Sequence, residues 1–162
     1  MESHAPGHIE FVHRRWPADP AQLSVIRREL ARWLAPLSLT DDETADVVLA
    51  VDEAAANAVR HAYGPDEAGS VELTLWTETD TDADSGAGTL CIEVVDHGSW
   101  QPPSDRPTEG GRGISLMNTM AESVLIRYDG RGSRVLLRHR IDAELGSTLS
   151  SIGPARSRRN RR

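Results

Sequence analysis

The spacing of apolar positions changes period several times along the chain, and each change predicts an element. From His8 to Trp16 apolar and polar residues alternate, Ile9 and Phe11 against Glu10, which predicts a first strand. Asp19-Pro20 is a helix start, a capping residue followed by proline at the first helical position. Leu23, Ile26, Leu30, Trp33 and Leu37 then recur at steps of three and four, an amphipathic helix that Pro36 closes. Thr40-Asp41-Asp42-Glu43 is a capping box whose carboxylates suit the positive end of the helix dipole. The helix it opens is expected to run to about Tyr63, where Gly64-Pro65 stops it. Val71–Thr77 and Thr89–Val95 read as strands flanking a polar loop of acids and glycines.

Beyond Asp96 the periodicity disappears. Gly98, Pro102, Pro103, Pro107, Gly110 and Gly111 break the chain into a long irregular loop, and such loops in small domains are commonly functional. A short helix over Ile114–Ala121 follows, then strands Ser123–Tyr128 and Arg134–Arg140 joined by an Asp129-Gly-Arg-Gly132 hairpin turn. Loop-joined neighbouring strands predict an α+β fold, a two-layer sandwich with a largely antiparallel sheet covered by helices on one face.

Composition narrows the class. The 162 residues suit one domain, and 38% apolar content excludes wholesale disorder. With seven aromatic residues, Val, Leu, Ile and Ala must fill most of the core. No apolar run reaches the roughly 20 residues of a membrane span, and the N-terminus lacks the basic and apolar regions of a signal peptide. Cys91, the single cysteine, excludes a disulfide framework, suits a reducing cytoplasm and reads as a core residue. Lysine is absent. That excludes a Walker A lysine, a kinase-type strand lysine and Schiff-base chemistry. Five arginines without an acid fill Pro154–Arg162; residues 1–153 hold 13 arginines against 25 acids, a net of −12. So acidic a body is expected to repel nucleic acid, and the tail to be a solvated end.

Three constellations could carry chemistry. On the second helix Val47, Val51, Ala55, Ala58 and Ala62 share one side, and Glu53, Asn57, Arg60 and His61 the other. A solvated face gives the same pattern, but an asparagine in an alanine-rich helix opposes propensity and aligns with a carboxylate one turn earlier. One metal ligand and one general base would be presented that way. Asp96 ends an apolar strand and precedes His97-Gly98; it could accept from an amino group, or simply form an Asp-x-Gly turn. Glu109-Gly-Gly-Arg-Gly113 opens a helix, where free amides form an anion site without lysine.

Taken in order, these pieces resemble the Bergerat-fold (GHKL) ATPases, and within them the RsbW-like anti-sigma-factor serine kinases of bacteria. The likeness runs from about Leu23 to Arg140. Glu53-Ala-Ala-Ala-Asn57-Ala-Val-Arg-His61-Ala-Tyr63 is similar to the family's N-box, Asp96-His-Gly98 to its Asp-x-Gly-x-Gly motif and Gly111-Arg-Gly113-Ile-Ser-Leu-Met117 to its phosphate loop. Gly132-Ser133 resembles the Gly-Thr that closes the adenine pocket.

The resemblance implies a Bergerat fold with a mostly antiparallel, mixed sheet over about 9–142, between a flexible N-terminus (1–8) and a flexible tail (143–162). Asn57 would ligate Mg²⁺ and Glu53 would be the general base. Asp96 would hold the adenine amino group, with Gly98 and Ser133 lining the pocket. Arg60, His61, Gly111, Arg112, Gly113 and Ile114 would complete the ATP site. It further implies a cytoplasmic ATP-dependent serine/threonine kinase that phosphorylates a STAS-type anti-sigma-factor antagonist and sequesters a sigma factor, with homodimers common in such proteins. Two positions depart from the pattern: Trp100 replaces the second glycine of the Asp-x-Gly-x-Gly motif, and Glu109 stands where relatives carry an arginine, leaving Arg106 or Arg112 as substitutes. The alternative is a catalytically silent ATP-binding switch. A two-component histidine kinase would need a dimerisation helix with an acceptor histidine, which the chain lacks.

Overall fold

The computed structural model describes residues 11–79, 87–99 and 123–141. Strand β1 (Val12–Pro17) leads into helix α1 (Gln22–Leu34) and helix α2 (Asp41–Asn57), which continues as a π turn over Ala58–Ala62. Strands β2 (Ser70–Thr79), β3 (Gly88–Asp96), β4 (Ser123–Asp129) and β5 (Gly132–Ile141) complete the order. They form one sheet, β1-β2-β3-β5-β4, and all four pairings are antiparallel. The α+β expectation is therefore met, while the mixed sheet is not: among the described residues there is no parallel pair. The expected helix at 114–121 and both terminal segments lie outside the described residues.

Alternation divides the sheet into two faces. Val71, Leu73 and Leu75 of β2, Leu90, Ile92 and Val94 of β3, and Val135 and Leu137 of β5 are buried on one of them. Ile26, Leu30 and Leu34 of α1 and Val47, Ala50, Val51, Ala54, Ala55 and Ala58 along α2 join them in a single core. Small alanines on α2 let the helix axis lie close to the sheet. Trp16 and Trp33 meet at 6.1 Å between ring centroids and seal β1 against α1.

Local signals explain the helix ends with one correction, at the start of α1. Thr40 accepts from the Glu43 N–H (3.1 Å) while the Glu43 carboxylate accepts from the Thr40 N–H (2.8 Å), the capping box as expected. Asp19-Pro20 starts a turn, not the helix itself: Asp19 Oδ1 accepts from Ala21 N–H at 2.8 Å, and α1 begins at Gln22. At the far end of α2 no left-handed glycine cap forms. Tyr63 is already extended (φ −120°, ψ 144°), and Gly64 does not take positive φ. Cys91 is buried as expected, but on the face away from the core. Its strand partners there are Trp76 and Arg138.

Candidate functional site

Glu53 and Asn57 stand one turn apart near the end of α2, both half-buried. Asp52, beside Glu53, is clamped by Arg27 of α1 at 2.9 Å, which fixes α2 against α1 one residue before the candidate base. From Ala58 the helix changes to the i→i+5 pattern, which recurs at functional positions. The sequence pattern placed Arg60 and His61 on one α-helical face with Glu53 and Asn57. The π turn breaks that phase and leaves Arg60 and His61 exposed.

Asp96 is the last residue of β3 and the single buried charged residue among those described, 3% exposed. A carboxylate in that position is costly unless its oxygens are met by donors. Oδ1 accepts from Gly98 N–H at 3.1 Å and from Ser133 N–H at 3.3 Å, and Oδ2 accepts from the Ser133 hydroxyl. Ser133 is brought there by register, since Asp96 and Ser133 are direct partners across β3 and β5. A carboxylate has about four acceptor positions, so three donors leave capacity for one more. Asp96, Gly132 and Ser133 line a cavity of about 690 Å³ together with His97, Ile126 and Arg127. That volume lies within the usual range for small-molecule sites, about 300–1,000 Å³.

Two glycines make this approach possible. Gly132 has φ of +150°, and a Cβ there would lie 2.0 Å from the Asp96 carbonyl oxygen. A Cβ on Gly98 would lie 1.9 Å from the Ala62 carbonyl oxygen, at the end of the π turn. What demands a glycine at 98 among the described residues is therefore the helix end. That carbonyl is one of the orphans at a helix C-terminus, and the Ser99 N–H donates to it at 2.8 Å.

On the opposite face of the sheet, Glu72 Oε1 accepts from His97 Nε2 at 2.8 Å and Oε2 from His13 Nε2 at 3.1 Å, with Arg15 Nε 3.4 Å away. The His97 hydrogen bond is the main cause that holds the Glu72 carboxyl below its ordinary value, against the opposing effect of burial. Neither this cluster nor Tyr63, whose hydroxyl reaches His97, was singled out from sequence as a contributor. Tyr63 closes the N-box segment, which was the available signal. Gly111, Arg112, Gly113 and Ile114, like Trp100, Arg106 and Glu109, lie outside the described residues. No group of three or more His, Cys, Asp or Glu able to hold a metal occurs among the described residues.

A helix carrying Glu53 and Asn57 thus packs on an antiparallel sheet that ends in a buried aspartate, the architecture of an α+β two-layer domain. The chain belongs to the histidine kinase-like ATPase domain family, whose model matches residues 16–139. Among individual proteins, Serine-protein kinase RsbW of Bacillus subtilis (strain 168) is 31% identical over 127 residues, covering 74% of this chain and 79% of that protein. Serine-protein kinase RsbW of Bacillus licheniformis is 29% identical over 147 residues, covering 82% and 90%. The fold is shared with a crystal structure of the RsbU and RsbW domains of Rv1364c from Mycobacterium tuberculosis, at a TM-score of 0.61 and 23% identity. That match covers 81% of this chain and 32% of the other. The chain is thus a histidine kinase-like ATPase domain similar in sequence to proteins named serine-protein kinase.

Proposed function

We propose that the protein binds Mg-ATP beside the π turn of α2, phosphorylates a serine or threonine of an anti-sigma-factor antagonist, and alternately sequesters a sigma factor in the cytoplasm. The observation that carries the ATP reading is Asp96, a buried carboxylate that lines a cavity and has three donors with one acceptor position to spare. An exocyclic amino group, as on adenine, supplies the missing donor, with Gly98 and Ser133 as walls. The Asn57 side chain makes no hydrogen bond to another described residue, which supports its amide oxygen as a cation ligand. Mg²⁺ keeps several waters and takes few protein ligands, so a single asparagine oxygen suffices as the protein's contribution. Bound Mg-ATP supplies the phosphoryl group and neutralises charge on it.

Glu53, one helical turn from Asn57, takes the proton of the incoming hydroxyl as general base. Arg60 and His61, exposed at the π turn, serve the phosphate end, together with the amides of Gly111, Gly113 and Ile114 and the guanidinium of Arg112 from the loop. The relatives' name, serine-protein kinase, supports phosphoryl transfer to a serine. A net charge of −12 over residues 1–153 supports protein partners over nucleic acid.

The test has two stages. A ligand at about 100 times its dissociation constant adds roughly 2.7 kcal/mol of stability, so Mg-ATP should raise the melting temperature of the wild type and not of Asp96→Asn. A wild type that ignores ATP and ADP alike sinks the reading. Labelled ATP with the cognate antagonist then separates a kinase from a silent switch, the second reading favoured by Trp100 and Glu109. Label that moves to the antagonist and is lost in Glu53→Ala marks the kinase; a stable complex without label marks the switch.

A further inference from the structure

The turn that carries Asp96 is held from the N-box side. Three consecutive backbone N–H groups each have a partner. His97 N–H donates to the Tyr63 hydroxyl at 2.9 Å, Gly98 N–H to Asp96 Oδ1 at 3.1 Å, and Ser99 N–H to the Ala62 carbonyl at 2.8 Å. Two of the three acceptors are therefore Ala62, the last residue of the π turn, and Tyr63, the extended residue after it, at the end of the helix that carries Glu53 and Asn57. The phenol is itself fixed at both ends. Its hydroxyl donates to the Ser70 carbonyl at 2.6 Å, and its ring lies so close to Gly69 that a Cβ there would meet ring carbons at 2.3 Å. One hydroxyl thus ties β2 to the residue after β3.

We propose that Tyr63 is a positioning residue for base recognition: it orients the Asp96–Ser99 turn so that the unused acceptor of Asp96 faces the amino group of an adenine nucleotide. This rests on the ATP reading above and adds to it a residue that sets discrimination between purines. Its reasoning is geometric. Asp96 keeps its Ser133 bonds without Tyr63, so the carboxylate stays buried. The peptide linking Asp96 to His97, however, loses the one side-chain contact that fixes its rotation. The aim of the carboxylate, more than its presence, depends on the phenol.

The experiment is calorimetric titration of the full chain with Mg-ATP and with Mg-ITP, which carries a carbonyl in place of the amino group. Wild type should prefer ATP. Tyr63→Phe keeps the ring and removes the hydroxyl; it should weaken ATP roughly tenfold and ITP by less than about twofold. Gly69→Ala leaves the hydroxyl and displaces the ring, and should narrow the ATP-to-ITP ratio in the same way. Because both act through one contact, the double variant should be no worse than the poorer single one. A wild-type ratio retained in Tyr63→Phe, or equal losses for both nucleotides, overturns the proposal while the ATP site stands. A wild type indifferent to ATP against ITP, or a ratio unmoved by Asp96→Asn, overturns the adenine reading and this inference with it. Failure of both variants to fold also overturns it, since Tyr63 would then serve the whole fold and not the turn.

Discussion

Two glycines in one hairpin turn make opposite predictions on replacement by alanine. At Gly132 the backbone has φ of +150°, which costs an L-residue about 1–3 kcal/mol. An added Cβ would also stand 2.0 Å from the Asp96 carbonyl oxygen and 2.9 Å from His97 Cα, both main-chain atoms that cannot rotate aside. Relief means moving β5 away from Asp96, which stretches the Ser133 N–H bond already at 3.3 Å and weakens a charge-assisted contact worth about 1.5–3 kcal/mol. Together these give a loss of about 3 kcal/mol, or roughly 6–12 °C in melting temperature for a domain of this size. Gly130 differs: it has no atom within 4 Å of a Cβ and no positive φ. Alanine there should stabilise by about 0.4–1 kcal/mol, by reducing the freedom of the unfolded chain. Thermal and urea melts of both variants, with and without Mg-ATP, measure the contrast. If the two melt within about a degree of each other, the close approach of the hairpin to Asp96 is wrong.

Thr40→Ala removes a capping box whose two bonds are both present, and should cost about 1 kcal/mol in urea denaturation with no change in slope. Leu73→Ala empties a fully buried position in β2, an inner strand of the sheet, and should cost about 2–5 kcal/mol, read the same way. The Glu72 carboxyl is held below its ordinary value of 4.5, chiefly by its His97 hydrogen bond, so its contribution is present above that value and lost as pH falls through the lowered one. Stability of Glu72→Gln should therefore fall less steeply than wild type below about pH 4.5, a difference that acid melts would show and that an identical slope would refute. Glu43, lowered chiefly by the Thr40 backbone N–H, acts with the same sign, and Glu43→Gln should flatten the same limb.

What sequence made legible was whatever depends on neighbours a few residues apart. The apolar stripe of α2, the Thr40–Glu43 box and the alternation of β2 and β3 are local facts, and each appears where its pattern placed it. Asp96 and Ser133 could be nominated from motif shape. Their contact is a consequence of register between strands 37 residues apart, which no local pattern encodes. The misses have the same origin. Gly64-Pro65 marked where the helix stops, and it does end at Ala62, but the manner of ending was not legible: the Ala62 carbonyl is satisfied by Ser99 N–H across the fold, and no left-handed residue is used. Nothing in Ala-Val-Arg-His-Ala marks a π turn; no glycine or proline interrupts it.

These misses converge on one place, and that is informative about how the site works. A helix that ended on its own glycine cap would be indifferent to the segment after β3. Here the end of the helix and the Asp96 turn complete each other's hydrogen bonds, through Ala62 with Ser99 and Tyr63 with His97. Glu53 and Asn57 sit on the same helix, so the residues proposed for phosphate chemistry and the carboxylate proposed for the base share one rigid support. Gly98 makes that junction tight, because any side chain there would separate it from Ala62. Sequence reasoning fails at this point because the local rule for ending a helix is broken in favour of a tertiary one, and such exceptions are expected where a site is assembled.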